Sequence, residues 1–151
     1  MALARWLAGV LAAGMAALPP LAAAQSAPLV LDQRCQPMAA QQPDRSADQA
    51  QVAFRQRLGT TTAPFWLLMG RFGDGAVLFC LSDGPKKGGA PLALASLQYR
   101  FISEIRPAAE PNAVLITVRH GNGRRVPLTL YRLHFSTRTQ FSLTPLRRWQ
   151  E

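Results

Sequence analysis

The pattern of apolar and polar residues divides this chain into short segments, and the two clearest are β-hairpins. Apolar residues fill both parities of residues 65–82 on either side of Gly73-Asp74-Gly75, which is typical of strands covered on both faces. In residues 113–135, two apolar runs flank Gly121-Asn122-Gly123, and Asn-Gly favours a tight turn because both residues tolerate positive φ. The sequence therefore predicts hairpins at 65–82 and 113–135 as the frame of the domain.

The second hairpin contains a change of parity. Three apolar residues of its second run share one parity and the next three share the other: Val126, Leu128 and Leu130, then Tyr131, Leu133 and Phe135. A strand keeps one face toward the core, so we expect a β-bulge near Leu130–Tyr131.

One segment predicts a helix and another predicts a loop. Residues 44–58 carry apolar residues at helical spacing, with Ser46 in the N-cap position and Gly59 as the stop, so we predict an α-helix there. Residues 83–95 are rich in Gly, Pro and Lys, and this composition predicts a mobile loop.

Strand patterns continue on both sides of the hairpins. Alternation predicts a strand with one buried and one solvent-facing side at 97–106, and shorter strands are expected at 28–31 and 139–143. With the two hairpins this gives about six strands. The predicted fold class is mainly β: a small antiparallel β barrel or sandwich with one short α-helix.

The N-terminus has the layout of a secretory signal peptide. Arg5 precedes an uncharged apolar run, which ends in small residues suited to cleavage before Gln25. We therefore predict a signal peptide at 1–24 and one β-rich domain at 25–151, in a protein exported to the bacterial periplasm or secreted. A retained membrane anchor is the alternative, since the apolar run approaches the length that spans a bilayer. The mature chain is expected to contain no transmembrane segment.

The chain contains two cysteines, Cys35 and Cys80. An even pair of cysteines in an exported protein indicates a disulfide. The loop that this bridge would close makes it worth about 4 kcal/mol in the chain-entropy model. The alternative is that Cys80 is an ordinary buried residue of an apolar strand.

The sequence offers little for catalysis. His120 and His134 are too far apart in an extended hairpin to share a metal ion. Asp44 and Asp48 are the clearest pair of carboxylates, and their place at the start of the predicted helix already accounts for them. The sequence contains no His-x-x-x-His, Cys-x-x-Cys or Gly-x-Ser-x-Gly motif. We therefore predict no catalytic residues, no metal site, no cofactor and no enzymatic activity.

Charge is the most informative property of the sequence. The net charge is +9, and residues 111–150 contain seven arginines but no Asp or Glu. Arginine pairs bidentately with phosphate and carboxylate groups, which indicates an anion-binding surface at the hairpin tip and the C-terminal tail. The predicted anion-binding residues are Arg119, His120, Arg124, Arg125, Arg132, Arg147 and Arg148. The alternative is a solvated basic face that keeps the protein soluble.

These observations predict an exported, non-enzymatic binding module that uses a basic surface for anionic envelope components. The expected partner is an anionic envelope polymer, a lipid headgroup or an acidic envelope protein. Nucleic acid is not expected, because the sequence shows neither aromatic interleaving nor a groove-entering element. The alternative function is an accessory or structural subunit of an envelope assembly, which binds a partner through sheet edges or an apolar face.

Overall fold

The computed structural model describes residues 27–39 and 48–151, so the predicted signal peptide and the start of the predicted helix lie outside the described residues. The described residues form two antiparallel sheets and no helix. The N-terminal sheet has the order β2-β1-β3-β4-β5-β6, with β1 (Val30–Leu31), β2 (Pro37–Met38), β3 (Ala50–Gly59), β4 (Pro64–Arg71), β5 (Val77–Ser82) and β6 (Gly89–Pro91). The C-terminal sheet has the order β10-β9-β8-β7, with β7 (Phe101–Pro107), β8 (Ala113–Arg119), β9 (Pro127–Phe135) and β10 (Phe141–Gln150). The prediction of a mainly β fold is confirmed.

The predicted helix at 44–58 is wrong, because its described part leads into β3, a strand of 10 residues that pairs with β4. Apolar residues four positions apart, such as Phe54 and Leu58, suit a helix, but an even spacing also suits one face of a strand. A β-bulge at Ala53 then moves the strand from one buried face to the other. Gly59, expected to stop the helix, has a φ of 86° and begins the turn into β4.

The first hairpin consists of β4 and β5, and its two faces pack into different cores. Odd-numbered residues such as Leu67 and Phe79 lie between the two sheets, in a core that includes Ile116 of β8. Even-numbered residues such as Leu68 and Leu78 lie in a second core on the other side of the N-terminal sheet. Two cores explain why apolar residues fill both parities of this hairpin.

The second core lies inside the curl of the N-terminal sheet. The sheet is a half-barrel whose two ends approach each other, since the backbone N–H of Gly89 donates to the carbonyl of Cys35 at 2.9 Å. Cys35 and Cys80 are fully buried there and form a disulfide with a Cα–Cα distance of 5.9 Å. The predicted disulfide is therefore confirmed, and such a bridge fits an exported protein.

The segment predicted as a mobile loop, 83–95, contains the short strand β6, which pairs with β5. The turn before β6 surrounds the buried hydroxyl of Ser82. Three backbone carbonyl oxygens lie 2.8–2.9 Å from this hydroxyl, those of Gly84, Lys87 and Gly88. The hydroxyl has one hydrogen to donate among these acceptors, and its oxygen accepts the backbone N–H of Gly84 at 3.2 Å, so Ser82 links residues 84 and 87–88 of this turn.

The strand predicted at 97–106 begins only at Phe101. Before it, the side chain of Gln98 takes the place of a neighbouring strand. Its carbonyl oxygen accepts the backbone N–H of Phe79 at 2.8 Å, and its amide group donates to the carbonyl of Phe79 at 2.9 Å. Gln98 thus makes the hydrogen bonds to Phe79 that the backbone of a neighbouring strand would otherwise make. The chain therefore does not need to be a strand before Phe101.

The second hairpin consists of β8 and β9, whose register is uninterrupted from Ala113–His134 to Arg119–Leu128. The bulge predicted in β9 is therefore wrong. The extra residue is Leu146 on β10, opposite Leu130 and Tyr131 of β9. The short strand predicted at 139–143 and the basic tail after it form one strand, β10.

Candidate functional site

The bulge in β10 brings two side chains of the predicted tail onto the outer face of the C-terminal sheet, the face turned away from the core. Before the bulge, β10 packs on the core through residues such as Phe141. After it, Arg147 lies opposite Leu130, and Trp149 lies opposite Leu128. Leu128 and Leu130 alternate with the core residues of β9, and directly opposed residues point to the same face. Arg147 and Trp149 therefore point outward.

A shallow groove of about 420 Å³ crosses this outer face. Leu130 of β9 lies opposite Thr117 of β8, and Thr117 lies opposite Glu104 of β7, so the three residues form a row across the sheet. We call this cavity the outer groove, and its lining includes Glu104, Thr117, Leu128, Leu130, Arg147 and Trp149. Its volume lies within the range of about 300–1,000 Å³ that is usual for small-ligand sites.

Arg147 is held over the indole ring of Trp149. The guanidinium carbon lies 5.2 Å from the ring centroid, which is within cation–π range. This stacking restrains the long side chain while its N–H groups stay available to a ligand. Within the described residues no carboxylate forms an ion pair with Arg147.

Other arginines of the C-terminal sheet already have carboxylate partners. The ion pairs are Arg106–Glu104 at 3.3 Å, Arg119–Glu151 at 3.0 Å and Arg132–Glu110 at 3.3 Å. Exposed pairs of this kind add only about 0–1 kcal/mol to stability, but they neutralise the charge that an external anion would meet. Two of the predicted anion-binding residues, Arg119 and Arg132, are therefore engaged within the protein.

Arg119 also shapes the hairpin tip. Its guanidinium donates to the carbonyls of Gly121 at 3.4 Å and Gly123 at 2.8 Å. The N–H of His120 donates to the carbonyl of Pro127, so the tip is a loop over 121–126, wider than the tight turn expected from Asn-Gly. Positive φ occurs at Gly121, with a value of 136°, and Asn122 does not adopt it.

His120 is exposed, and its ring takes part in a hydrogen bond with a residue of β9. Its Nε2 lies 2.9 Å from the hydroxyl oxygen of Thr129, a residue that is 3% exposed. A buried hydroxyl needs such a partner, which gives this histidine a structural task.

Four of the predicted anion-binding residues remain exposed and have no carboxylate partner within the described residues: Arg124, Arg125, Arg147 and Arg148. The topology brings them to one end of the C-terminal sheet. β10 runs antiparallel to β9, so its last residues return to the hairpin tip, where the N–H of Glu151 donates to the carbonyl of Val126 at 3.2 Å. We call these four arginines the basic end.

An ion pair joins the two sheets at another position. The guanidinium of Arg138, in the β9–β10 turn, donates a hydrogen bond to the carboxylate of Asp83, which follows β5. This hydrogen bond, with the positive charge of Arg138 and a smaller effect of Lys87, lowers the pKa of Asp83 below its ordinary value.

The groups considered for catalysis are not brought together. His134 lies opposite Ala113, at the end of the hairpin away from His120. Among the residues described, no three His, Cys, Asp or Glu side chains are grouped so that they could hold a metal ion. The described part of the chain also has no helix of the length and apolar composition needed to cross a membrane.

The outer groove was missed from the sequence, although its signature was visible. Leu128 and Leu130 break the parity set by Leu133 and Phe135 because they face outward and form the floor of the groove. The same parity change was interpreted as a bulge in β9. An apolar pair on the solvent face of a strand indicates a covered or ligand-binding surface as readily as a bulge.

Comparison with known proteins assigns no relative, since no protein-family model, curated protein or solved structure matches the chain. Its function is therefore inferred from its own residues.

Proposed function

We propose that this protein is an exported, non-enzymatic binding module that uses the basic end of its C-terminal sheet to bind anionic envelope components. The observation that carries the proposal is the gathering of Arg124, Arg125, Arg147 and Arg148 at one end of the sheet. All four are exposed, and no carboxylate within the described residues neutralises them. A solvated basic face needs no such concentration of unpaired arginine.

The chemistry of arginine supports an oxyanion ligand. The planar guanidinium forms two parallel hydrogen bonds to a phosphate or carboxylate, which a lysine cannot match. Exposed charges act over about 10 Å at 0.1 M salt, so several arginines within one end of a sheet reinforce each other. An anionic polymer or a membrane surface presents many such groups at once.

Two features support export. The N-terminal segment has the pattern of a signal peptide. The disulfide between Cys35 and Cys80 requires an oxidising compartment to persist. Within this proposal the protein acts in the bacterial periplasm or outside the cell.

The alternative function, a subunit that pairs through a sheet edge or an apolar face, has less support. β10 is an edge strand, but Pro145, the bulge at Leu146 and the charged pair that follows are devices that discourage strand addition. The apolar parities of the first hairpin are used inside the protein by its two cores.

The test is a salt titration of the purified protein on vesicles with anionic headgroups and on soluble anionic polymers. We expect affinity to fall steeply between low and physiological salt, because screening shortens the reach of exposed charges. A variant with Arg124, Arg125, Arg147 and Arg148 all changed to Gln should lose at least tenfold in affinity at low salt.

The matched control removes four positive charges from the N-terminal sheet and its connections: Arg34→Gln, Arg57→Gln, Lys86→Gln and Lys87→Gln. These side chains are also exposed. Equal losses in the two variants would show attraction by net charge alone and would contradict a site. Binding that is insensitive to salt in the wild-type protein would favour the alternative function.

A further inference from the structure

The outer groove contains apolar residues as well as charged ones, whereas an anion site requires only positive charge and hydrogen-bond donors. Its floor is apolar, since Leu130 and Trp149 are half-buried on the outer face, whereas Leu128 is only 5% exposed and is already covered by the protein's own side chains. Trp149 lies against this floor, directly opposite Leu128 on the neighbouring strand. A solvent-facing strand surface normally carries polar residues, so the partly exposed Leu130 and Trp149 indicate contact with a ligand that has an apolar face.

The rim of the groove carries both signs of charge. Glu104 and Glu151 contribute carboxylates, and Arg106 and Arg147 contribute guanidinium groups. Glu104 forms an ion pair with Arg106 at 3.3 Å, and Glu151 forms one with Arg119 at 3.0 Å. The exposed Ser103 adds a hydroxyl group to the rim, and Thr117 lies buried in the floor. The set therefore offers strong hydrogen-bond acceptors as well as donors around an apolar floor.

This combination disfavours two otherwise suitable occupants. The phosphate groups of a lipid headgroup or of a nucleic acid have no hydrogen to donate to the carboxylates of Glu104 and Glu151. A hydroxyl-rich ligand both donates and accepts, so it satisfies carboxylates and guanidinium groups together. A sugar ring also has a face of C–H groups, which can cover Leu130 and the indole ring.

We propose that the outer groove binds a polysaccharide whose sugar rings carry carboxylate groups. A ring packs on Leu130 and Trp149, its hydroxyls bind Ser103 and Glu104, and its carboxylate pairs with Arg147. Arg147 suits this position, because it is fixed over Trp149 and has no carboxylate partner within the described residues. This inference rests on the proposed function and specifies the anionic component that the protein recognises.

The experiment measures binding of defined oligogalacturonates to the purified protein by calorimetry. The same oligomers with methyl-esterified carboxylates serve as the uncharged comparison. We expect the acidic oligomers to bind at least tenfold more tightly than the esters. Trp149→Ala and Arg147→Gln should each weaken binding at least tenfold, whereas Arg57→Gln, which removes the same charge from β3, should change it less than twofold.

Glu104→Gln separates sugar recognition from simple charge attraction. This change removes a negative charge and releases Arg106, so affinity for any simple anion should rise. If Glu104 accepts hydrogen bonds from sugar hydroxyls, affinity for the oligogalacturonates should instead fall at least threefold. A rise in affinity after Glu104→Gln would overturn the inference. Comparison of near-UV circular dichroism spectra identifies any variant that has lost its fold, and Trp149→Phe then replaces Trp149→Ala, with a smaller expected loss.

The proposed function and this inference fail in different ways. If the protein binds anionic vesicles through the basic end but binds no oligogalacturonate, only the inference is overturned. If neither vesicles nor anionic polymers bind, the proposed function fails as well. Tighter binding of a single-stranded oligothymidylate than of oligogalacturonate, lost in Trp149→Ala, would assign the groove to nucleic acid and overturn the inference.

Discussion

In the N-terminal sheet β5 is buried along its whole length, whereas in the C-terminal sheet one face packs on the core and the other meets solvent. The N-terminal sheet curls around its own core and its disulfide, and its other side is covered by the C-terminal sheet. β5 therefore has no surface to offer a ligand. The outer face of the C-terminal sheet is open, and its bulged edge strand places Arg147 and Trp149 on it. The comparison indicates that the N-terminal sheet provides much of the stability, and under the proposed function the C-terminal sheet binds the ligand.

The largest expected effect is a core substitution in the N-terminal sheet. Phe79 is fully buried between the two sheets. Phe79→Ala should lower the free energy of unfolding by about 3–5 kcal/mol, because it removes a large buried side chain and leaves a cavity. Urea denaturation measures the change. Leu146→Ala is the control at an exposed leucine of the C-terminal sheet, and a loss as large there would contradict the division between the sheets.

Removing the disulfide should have the next largest effect. The double substitution Cys35→Ala and Cys80→Ala releases a loop with a sequence separation of 45. We expect a loss of about 2–4 kcal/mol in the free energy of unfolding. The measurement compares the variant with the wild-type protein under oxidising and reducing conditions. A variant that is as stable as the oxidised protein would show that the bridge adds nothing to the N-terminal core.

Ser82 tests whether the connection 83–95 is held as the structure shows. Ser82→Ala removes a buried hydroxyl that also accepts the backbone N–H of Gly84 at 3.2 Å. We expect a loss of about 1–3 kcal/mol, because buried backbone groups lose their partner. Hydrogen exchange should rise at residues 84–88. Ser142→Ala, at an exposed serine of β10, is the control and should leave exchange at residues 84–88 unchanged. If Ser82→Ala also left exchange at 84–88 unchanged, that result would contradict this role.

The outer face should contribute to binding and little to stability. Arg147→Gln and Trp149→Ala together should lower the free energy of unfolding by only about 1 kcal/mol, because Trp149 is half-buried and its loss uncovers part of Leu128. The same double variant should lose binding of anionic polymers. A large loss of stability would mean that Trp149 seals the sheet, and the comparison of the two sheets would then fail.

The smallest effect concerns the ion pair between the sheets. Arg138 lowers the pKa of Asp83, so its titration midpoint by NMR should lie below the ordinary value of 3.8. A lowered folded pKa means that the pair stabilises the protein above the ordinary pKa and that this contribution is lost as pH falls through the folded value. Arg138→Gln should return the midpoint toward 3.8. An unchanged midpoint would show that the pair does not form in solution.

Local patterns predicted the hairpins and the disulfide well, because turn residues and two-sided apolar runs are local features of the chain. The helix at 44–58 failed because residues four apart share a face in a helix and in a strand alike. β3 contacts both cores only because of the bulge at Ala53, and no local sequence pattern predicts that bulge.

The candidate site was predicted in outline from its arginines, but which of them are free depended on tertiary contacts. Arg119 and Arg132 meet carboxylates from residues distant in sequence, Glu151 and Glu110. The parity change at Leu130–Tyr131 was visible in the sequence, but a strand's own residues do not reveal whether its partner carries the bulge. The register of β10 on β9 settles that question.

The central claim is that the basic end of the C-terminal sheet is where anions bind. Its most direct test is a titration of the isotope-labelled protein with a short polyphosphate, followed residue by residue in NMR spectra. We expect chemical-shift changes to concentrate at residues 124–125 and 147–149 and to disappear at high salt. Changes concentrated at Arg34, Arg57, Lys86 and Lys87, or spread evenly over all basic residues, would contradict the account.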